Sequence, residues 1–218
     1  MTPGQRYLAL RVEIAELAKK YERNPEDITL IAVSKGHPKE HLESIYQAGA
    51  RDFGESRVQE ASEKIAATPT DIHWHLIGTL QRKKVPKAVG AFSLIHSVDS
   101  PELANKIATI AKEQNKQQSI LLQVNTSGEK SKHGLTPQGW RNAVQDLLKM
   151  PSIKIEGLMT MAPLTNDKAI IRHCFAELRA FRDELGLKHL SMGMSQDYSI
   201  AIAEGATMLR IGTTLFGS

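Results

Sequence analysis

Ile28-Thr-Leu-Ile-Ala-Val-Ser-Lys35-Gly-His-Pro38 is an apolar run, rich in β-branched residues, that stops at one lysine. Gly36 and Pro38 then break it, so the stretch reads as a buried strand closed by a turn. Apolar runs without polar alternation belong to parallel strands covered on both faces. A lysine ending such a strand sits where a charge is costly. Burial there favours the neutral, nucleophilic amine that condenses with aldehydes and ketones. The bland alternative is a lysine that snorkels to the rim or neutralises a carboxylate.

The strand-then-helix unit recurs along the chain. Strands are predicted near 50–54, 72–77, 93–98, 120–124, 153–161, 189–193 and 207–211, with helices between them. Helix starts are marked by Ser100-Pro101 and Thr136-Pro137, and helix ends by Gly49 and Gly186. Gln81 to Val89 is predicted helical, shortened or bent by Pro86. Eight such units in 218 residues predict a single (β/α)8 TIM barrel, with 1–218 as one domain. A doubly wound sheet is the alternative, but the turn at Lys35 lacks G-x-G-x-x-G. Only Thr213 to Ser218 follow the last strand, so the eighth helix is nearly missing. The amphipathic N-terminal helix, within 1–23, is expected to pack into that gap.

Composition narrows the function classes. Hydrophobic residues at 41% and charged residues at 24% fit a globular protein. The net charge of +4 is modest, and aromatic content is 5%. Arg82-Lys83-Lys84 has no interleaved aromatics and reads as a solvated helix face, not a nucleic-acid site. An anionic small ligand suits the charge as well. Cys174 is the only cysteine, which excludes an intramolecular disulfide and a cysteine-based zinc site. With Ile171, Phe175, Leu178 and Phe181 at helical spacing, it reads as core. No apolar run reaches membrane length, and the N-terminus does not read as a signal peptide. The expectation is a cytoplasmic monomer without membrane or nucleic-acid partners.

Barrel active sites lie at the C-terminal strand ends. Here those ends read Lys35, Gly54-Glu55-Ser56, Gly78, Ser97 to Asp99, Asn125-Thr-Ser127, Met161, Gly193-Met194-Ser195 and Arg210-Ile-Gly212-Thr213. Barrels often bind phosphate between the loops after strands seven and eight. Glycines at those turns admit a phosphate, and the hydroxyls and free N–H groups can donate to it. Arg210 interrupts an apolar strand and must face a rim, a carboxylate or a ligand. The competing constellation is metal: His73 and His75 share one strand face, and His96 lies one strand on. No further clustered ligands support it, and Arg210 opposes a cation, so no metal is expected.

Taken together, Ala32-Val-Ser-Lys35, Phe53-Gly-Glu-Ser-Arg-Val-Gln-Glu60, Trp74-His-Leu-Ile-Gly-Thr-Leu-Gln81, Gln123-Val-Asn125, Lys132-His-Gly134, Gly157-Leu-Met-Thr-Met161, Leu190-Ser-Met-Gly-Met-Ser195 and Arg210-Ile-Gly-Thr213 resemble the pyridoxal-phosphate homeostasis protein family. Those proteins are single-domain relatives of the N-terminal barrel of alanine racemase. The resemblance implies that Lys35 carries pyridoxal 5'-phosphate as an internal aldimine. It implies that Met194, Ser195, Gly212 and Thr213 hold the phosphate and that Arg210 faces the pyridine nitrogen. Ser56 stands where the family usually has Asn near the ring hydroxyl. A permanent cation at the ring nitrogen weakens the cofactor as an electron sink.

The function implied is intracellular cofactor homeostasis: storage or delivery of pyridoxal phosphate, with apo-enzymes as recipients, and no established catalysis. Racemases of this type use two bases and a second, β-rich domain, which this chain is expected to lack. A weak racemase or lyase, with Lys35 as one base, is the first alternative. A Schiff-base aldolase acting on a phosphorylated substrate is the second.

Overall fold

The computed structural model describes residues 1–129 and 132–217. Eight parallel strands form a closed barrel in sequence order: β1 (Thr29–Val33), β2 (Asp52–Glu55), β3 (His73–Leu76), β4 (Leu94–Val98), β5 (Gln118–Gln123), β6 (Ile153–Met159), β7 (His189–Ser191) and β8 (Met208–Ile211). β1 pairs with β8, Ile31 opposite Arg210 and Ala32 opposite Ile211, and this closes the ring. The barrel is thus the predicted architecture, and the open doubly wound sheet is excluded.

The helices are α1 (Pro3–Lys20), α2 (Lys39–Gln47), α3 (Val58–Ala66), α4 (Val85–Ala88), α5 (Pro101–Glu113), α6 (Pro137–Arg141), α7 (Val144–Leu147), α8 (Lys168–Glu184), α9 (Tyr198–Ala203) and α10 (Thr213–Phe216). Thr2 and Gln5 start α1 with a reciprocal capping box. Ser100 Oγ accepts the Leu103 N–H at 3.3 Å, and Thr136 Oγ1 the Gly139 N–H at 3.2 Å, as the helix-start signals predict. α1 packs between α2 on one side and α9 and α10 on the other, filling the place of the short eighth helix. Two elements differ from expectation. Arg82-Lys83-Lys84 is a 3-10 turn, not a helix face, and only the four residues of α4 around Pro86 are α-helical. The helix predicted after Thr136 breaks into α6 and α7.

Strand alternation sorts the core into two layers. Leu30 and Ala32 of β1 face the helices, while Ile31 joins Leu94, Leu121, Met159 and Met208 inside the barrel. Each such aliphatic side chain contributes about 1.5–3 kcal/mol on burial. Cys174 lies in the outer core, its thiol 3.4 Å from the Thr126 carbonyl. Burial pushes that thiol up, as befits an inert core residue. Among the described residues, no helix is long and apolar enough to cross a membrane.

Candidate functional site

β1 delivers the lysine turn to the C-terminal mouth of the barrel. Its last strand residue is Val33, Ser34 is buried, and Lys35 stands in the following turn. Lys35 is exposed, as a lysine reaching to the rim would be. The physical reason lies in the turn: Gly36 adopts φ +74°, and the backbone leaves the strand one residue before the lysine. Lys35, Gly36, Ser56, Arg57 and Glu60 line a cavity of about 380 Å³, within the roughly 300–1,000 Å³ of small-ligand pockets.

A partly buried charge cluster holds this turn. Glu60 Oε1 accepts the Gly36 N–H at 2.7 Å. The Lys64 ammonium donates to the Ser34 carbonyl at 2.7 Å, to Glu55 Oε1 at 2.7 Å and to Glu60 Oε1 at 3.0 Å. Ser34 Oγ donates to Glu55 Oε1 at 2.7 Å. Glu55 is fully buried, and its Oε2 has no hydrogen-bond partner among the described residues. Burial pushes the Glu55 carboxyl up against the opposing pull of Lys64 and Ser34. Burial also acts on Glu60, but the Gly36 N–H and Lys64 outweigh it and hold that carboxyl low.

The β8–β1 pairing sets the turn after β8 beside the lysine turn. Gly212 packs against Val33, where an added Cβ would lie 3.5 Å from Val33 Cβ. The turn after β7 reaches the same place: the Thr214 N–H donates to Ser195 Oγ at 3.4 Å. Thr213 is exposed and Ser195 half-buried. Met194 is exposed, and its N–H is already committed to Asp197 Oδ1 at 2.6 Å. On the other flank, Gly78 lets β3 close on Ser56, whose Cα would lie 2.7 Å from an added Cβ. Lys35 therefore stands between Ser56 and the Ser195/Gly212 turns.

Arg210 sits deeper. It is 5% exposed, pointing inward from β8. Its Nη1 donates to Ser191 Oγ at 2.6 Å and its Nη2 to the Thr160 carbonyl at 2.9 Å. Both partners are neutral, and among the described residues it makes no ion pair. Burial pushes its pKa down to about 10, against the pull of Asp197, so it remains a cation at neutral pH. A buried guanidinium with no carboxylate in hydrogen-bond contact favours an additional acceptor.

Of the three histidines considered as metal ligands, His75 and His96 are tied into this interior and His73 is exposed. His73 Nδ1 lies 3.4 Å and His75 Nε2 3.0 Å from Asp52 Oδ1, so they do share a face. His75 Nδ1 faces His96 Nε2 at 2.9 Å, and His96 Nδ1 faces Ser191 Oγ at 2.8 Å. Among the described residues, no group of three or more His, Cys, Asp or Glu side chains could hold a metal ion. Sequence reading missed Glu60, Lys64, Thr160 and Ser191. A lysine one helical turn after a glutamate and two polar residues at the ends of β6 and β7 were the available signals, and each is common in isolation.

A family model described as alanine racemase, N-terminal domain, matches residues 8–218. A pyridoxal phosphate homeostasis protein of Synechocystis sp. (strain ATCC 27184 / PCC 6803 / Kazusa) is 43% identical, over 88% of this chain and 92% of its own. One of the same name from Aquifex aeolicus (strain VF5) is 38% identical, over 100% of this chain and 98% of its own. PipY of Synechococcus elongatus PCC7942, solved with PLP bound, superposes with a TM-score of 0.83 at 42% identity, over 94% of this chain and 100% of that one.

Proposed function

The chain belongs to the alanine racemase N-terminal domain family, as one of its pyridoxal phosphate homeostasis proteins, and we propose that it binds pyridoxal 5'-phosphate to store and deliver it. The observation that carries this reading is the pairing of β8 with β1, which puts the Lys35 turn beside the Ser195/Gly212 turns and above Arg210. These groups match an anionic aldehyde with a ring nitrogen, and PipY is a relative solved with that cofactor.

When bound, the cofactor supplies an aldehyde that an amine holds reversibly and a ring that accepts electron density. Lys35 is the amine. The Gly36–Glu60 hydrogen bond and the Lys64 ammonium on the Ser34 carbonyl fix the backbone on either side of it. Ser195 Oγ and the backbone of Gly212 and Thr213 take the phosphate. Met194 contributes backbone shape only, since its N–H is held by Asp197. Arg210 would face the ring nitrogen and keep it unprotonated, which would restrain carbanion chemistry. Ser56 bonds the ring hydroxyl with a shorter reach than an amide. The whole span 1–218 acts as one cofactor-binding unit, monomeric and cytoplasmic, with apo-enzymes as recipients and no nucleic-acid or membrane partner.

Two assays test the role. Purified protein mixed with the cofactor should gain an absorbance band near 420 nm, roughly, as the lysine-held aldehyde does. The loaded protein should then activate an apo-enzyme without racemising alanine. Turnover of alanine enantiomers by the loaded protein would replace the carrier role with a racemase.

A further inference from the structure

The interior of the barrel holds a polar chain that the cofactor contacts alone do not require. It runs from Asp52 Oδ1 to His75 Nε2 (3.0 Å), from His75 Nδ1 to His96 Nε2 (2.9 Å), from His96 Nδ1 to Ser191 Oγ (2.8 Å), and from Ser191 Oγ to Arg210 Nη1 (2.6 Å). His75, His96, Ser191 and Arg210 are all buried, and the Asp52 side chain is 28% exposed. Asp52 opens β2, so the chain starts at the N-terminal end of the barrel and crosses from β3 and β4 to β7 and β8.

The two ends fix its polarity. A guanidinium only donates, and a carboxylate only accepts. Ser191 Oγ accepts from Arg210, which leaves its hydroxyl to donate to His96 Nδ1. His96 must then donate from Nε2 to His75 Nδ1, and His75 from Nε2 to Asp52. Every donor points from Arg210 towards Asp52, with both imidazoles neutral and protonated at Nε2. The reverse polarity needs an imidazolium at His75, a proton on His96 Nδ1, and a serine hydroxyl turned away. The titratable or charged groups facing His96 are His75, Arg210 and His189, none of them an anion.

We propose that Asp52, His75, His96 and Ser191 form a one-way hydrogen-bond relay that positions the Arg210 guanidinium and lends it a distant counter-ion. They are positioning residues for the cofactor's ring nitrogen, and this role rests on the cofactor reading above. The relay adds an indirect anion to the direct pull of Asp197 on this buried cation: Asp52 polarises each hydrogen bond in turn. Neutralising Asp52 leaves a stronger positive potential at the ring nitrogen. Cutting the chain at Ser191 strands one Arg210 donor and one His96 acceptor in the interior.

The test has two arms. In cofactor-free protein, ¹⁵N NMR of the imidazoles at neutral pH should show both His75 and His96 protonated at Nε2, with Nδ1 bare. A proton on Nδ1 of either ring overturns the relay, whether or not cofactor binds. In loaded protein, Asp52→Asn keeps an acceptor oxygen and drops the charge, so a purely structural Asp52 leaves the cofactor's spectrum alone. The relay instead moves the pH-dependent absorbance transition of the bound cofactor to lower pH. Ser191→Ala should release the cofactor roughly 5- to 150-fold faster, the range for a buried group left unpaired. Wild-type transition and release in both variants would overturn the proposal. Failure of the cofactor reading itself shows differently, as wild-type protein that takes up no pyridoxal phosphate while the imidazole tautomers still report on the relay.

Discussion

Lys64→Met is the sharpest probe of the cluster behind the lysine turn. Methionine keeps the length of the stem and deletes an ammonium bonded to the Ser34 carbonyl, Glu55 and Glu60. Glu55 is then left fully buried with Ser34 Oγ as its remaining partner. Breaking a buried pair costs about 3–5 kcal/mol. The Lys64 side chain keeps 13% exposure, so the lower end, about 3 kcal/mol, is expected near pH 7.5. At roughly 2–4 °C per kcal/mol for a chain of this size, Tm should fall by about 6–12 °C. The deficit must also depend on pH. Burial already raises the Glu55 carboxyl, and without Lys64 it rises further above its unfolded value. A folded state with a raised carboxylate binds the proton first, so the variant regains stability as pH falls through that folded value. Adding Glu55→Gln removes the stranded charge and should recover more than about 1 kcal/mol of coupling in a double-mutant cycle. Thermal melts of the four proteins at pH 5, 6.5 and 8 measure all of this. A loss under about 1 kcal/mol, a loss independent of pH, or strict additivity would refute the account of the cluster.

Burial, then His75 and Arg210, hold His96 well below its ordinary value. The unfolded chain therefore binds the proton that the folded chain refuses, and stability should fall below about pH 6.5 by up to about 1.4 kcal/mol per pH unit. His96→Asn should flatten that acid limb, as read from urea melts, while the lowered His37 and His189 keep part of the slope. Gly157 lets β6 approach β7 so closely that an added Cβ would lie 2.8 Å from His189 Cα. Gly157→Ala should cost about 1–3 kcal/mol or fail to fold, checked by circular dichroism. Arg210→Lys keeps the charge but cannot span both Ser191 Oγ and the Thr160 carbonyl. It should weaken cofactor affinity about tenfold in a fluorescence titration, with the fold intact.

The fold was open to sequence reading because most strands are short apolar runs closed by glycine or a polar turn, β2 with Asp52, Gly54 and Glu55 being the weak one. Ser100 and Thr136 mark their helices by chemistry that depends on neighbours in sequence alone. The breaks were less legible. The helix after Thr136 splits, and Pro86 leaves only one turn of α-helix. The site divides the same way. Lys35, Ser195, Gly212 and Arg210 stood out because each ends or interrupts a strand. The sequence left Lys35 between burial and the rim, and a turn at Gly36, held by Glu60 from α3, carries it out of the strand. Glu55, Lys64 and the His75–His96–Ser191 chain depend on which faces the closed barrel brings together. His96 and Ser191 are 95 residues apart, and no local pattern links them.

The central claim is that one amine, Lys35, carries the cofactor. Protein incubated with pyridoxal phosphate, reduced with borohydride and weighed intact by mass spectrometry tests it most directly. The wild type should gain the mass of one cofactor, mapped to the peptide containing Lys35, and Lys35→Ala should gain none. Labelling that persists at another lysine in Lys35→Ala, or wild-type protein that gains no mass, would contradict it.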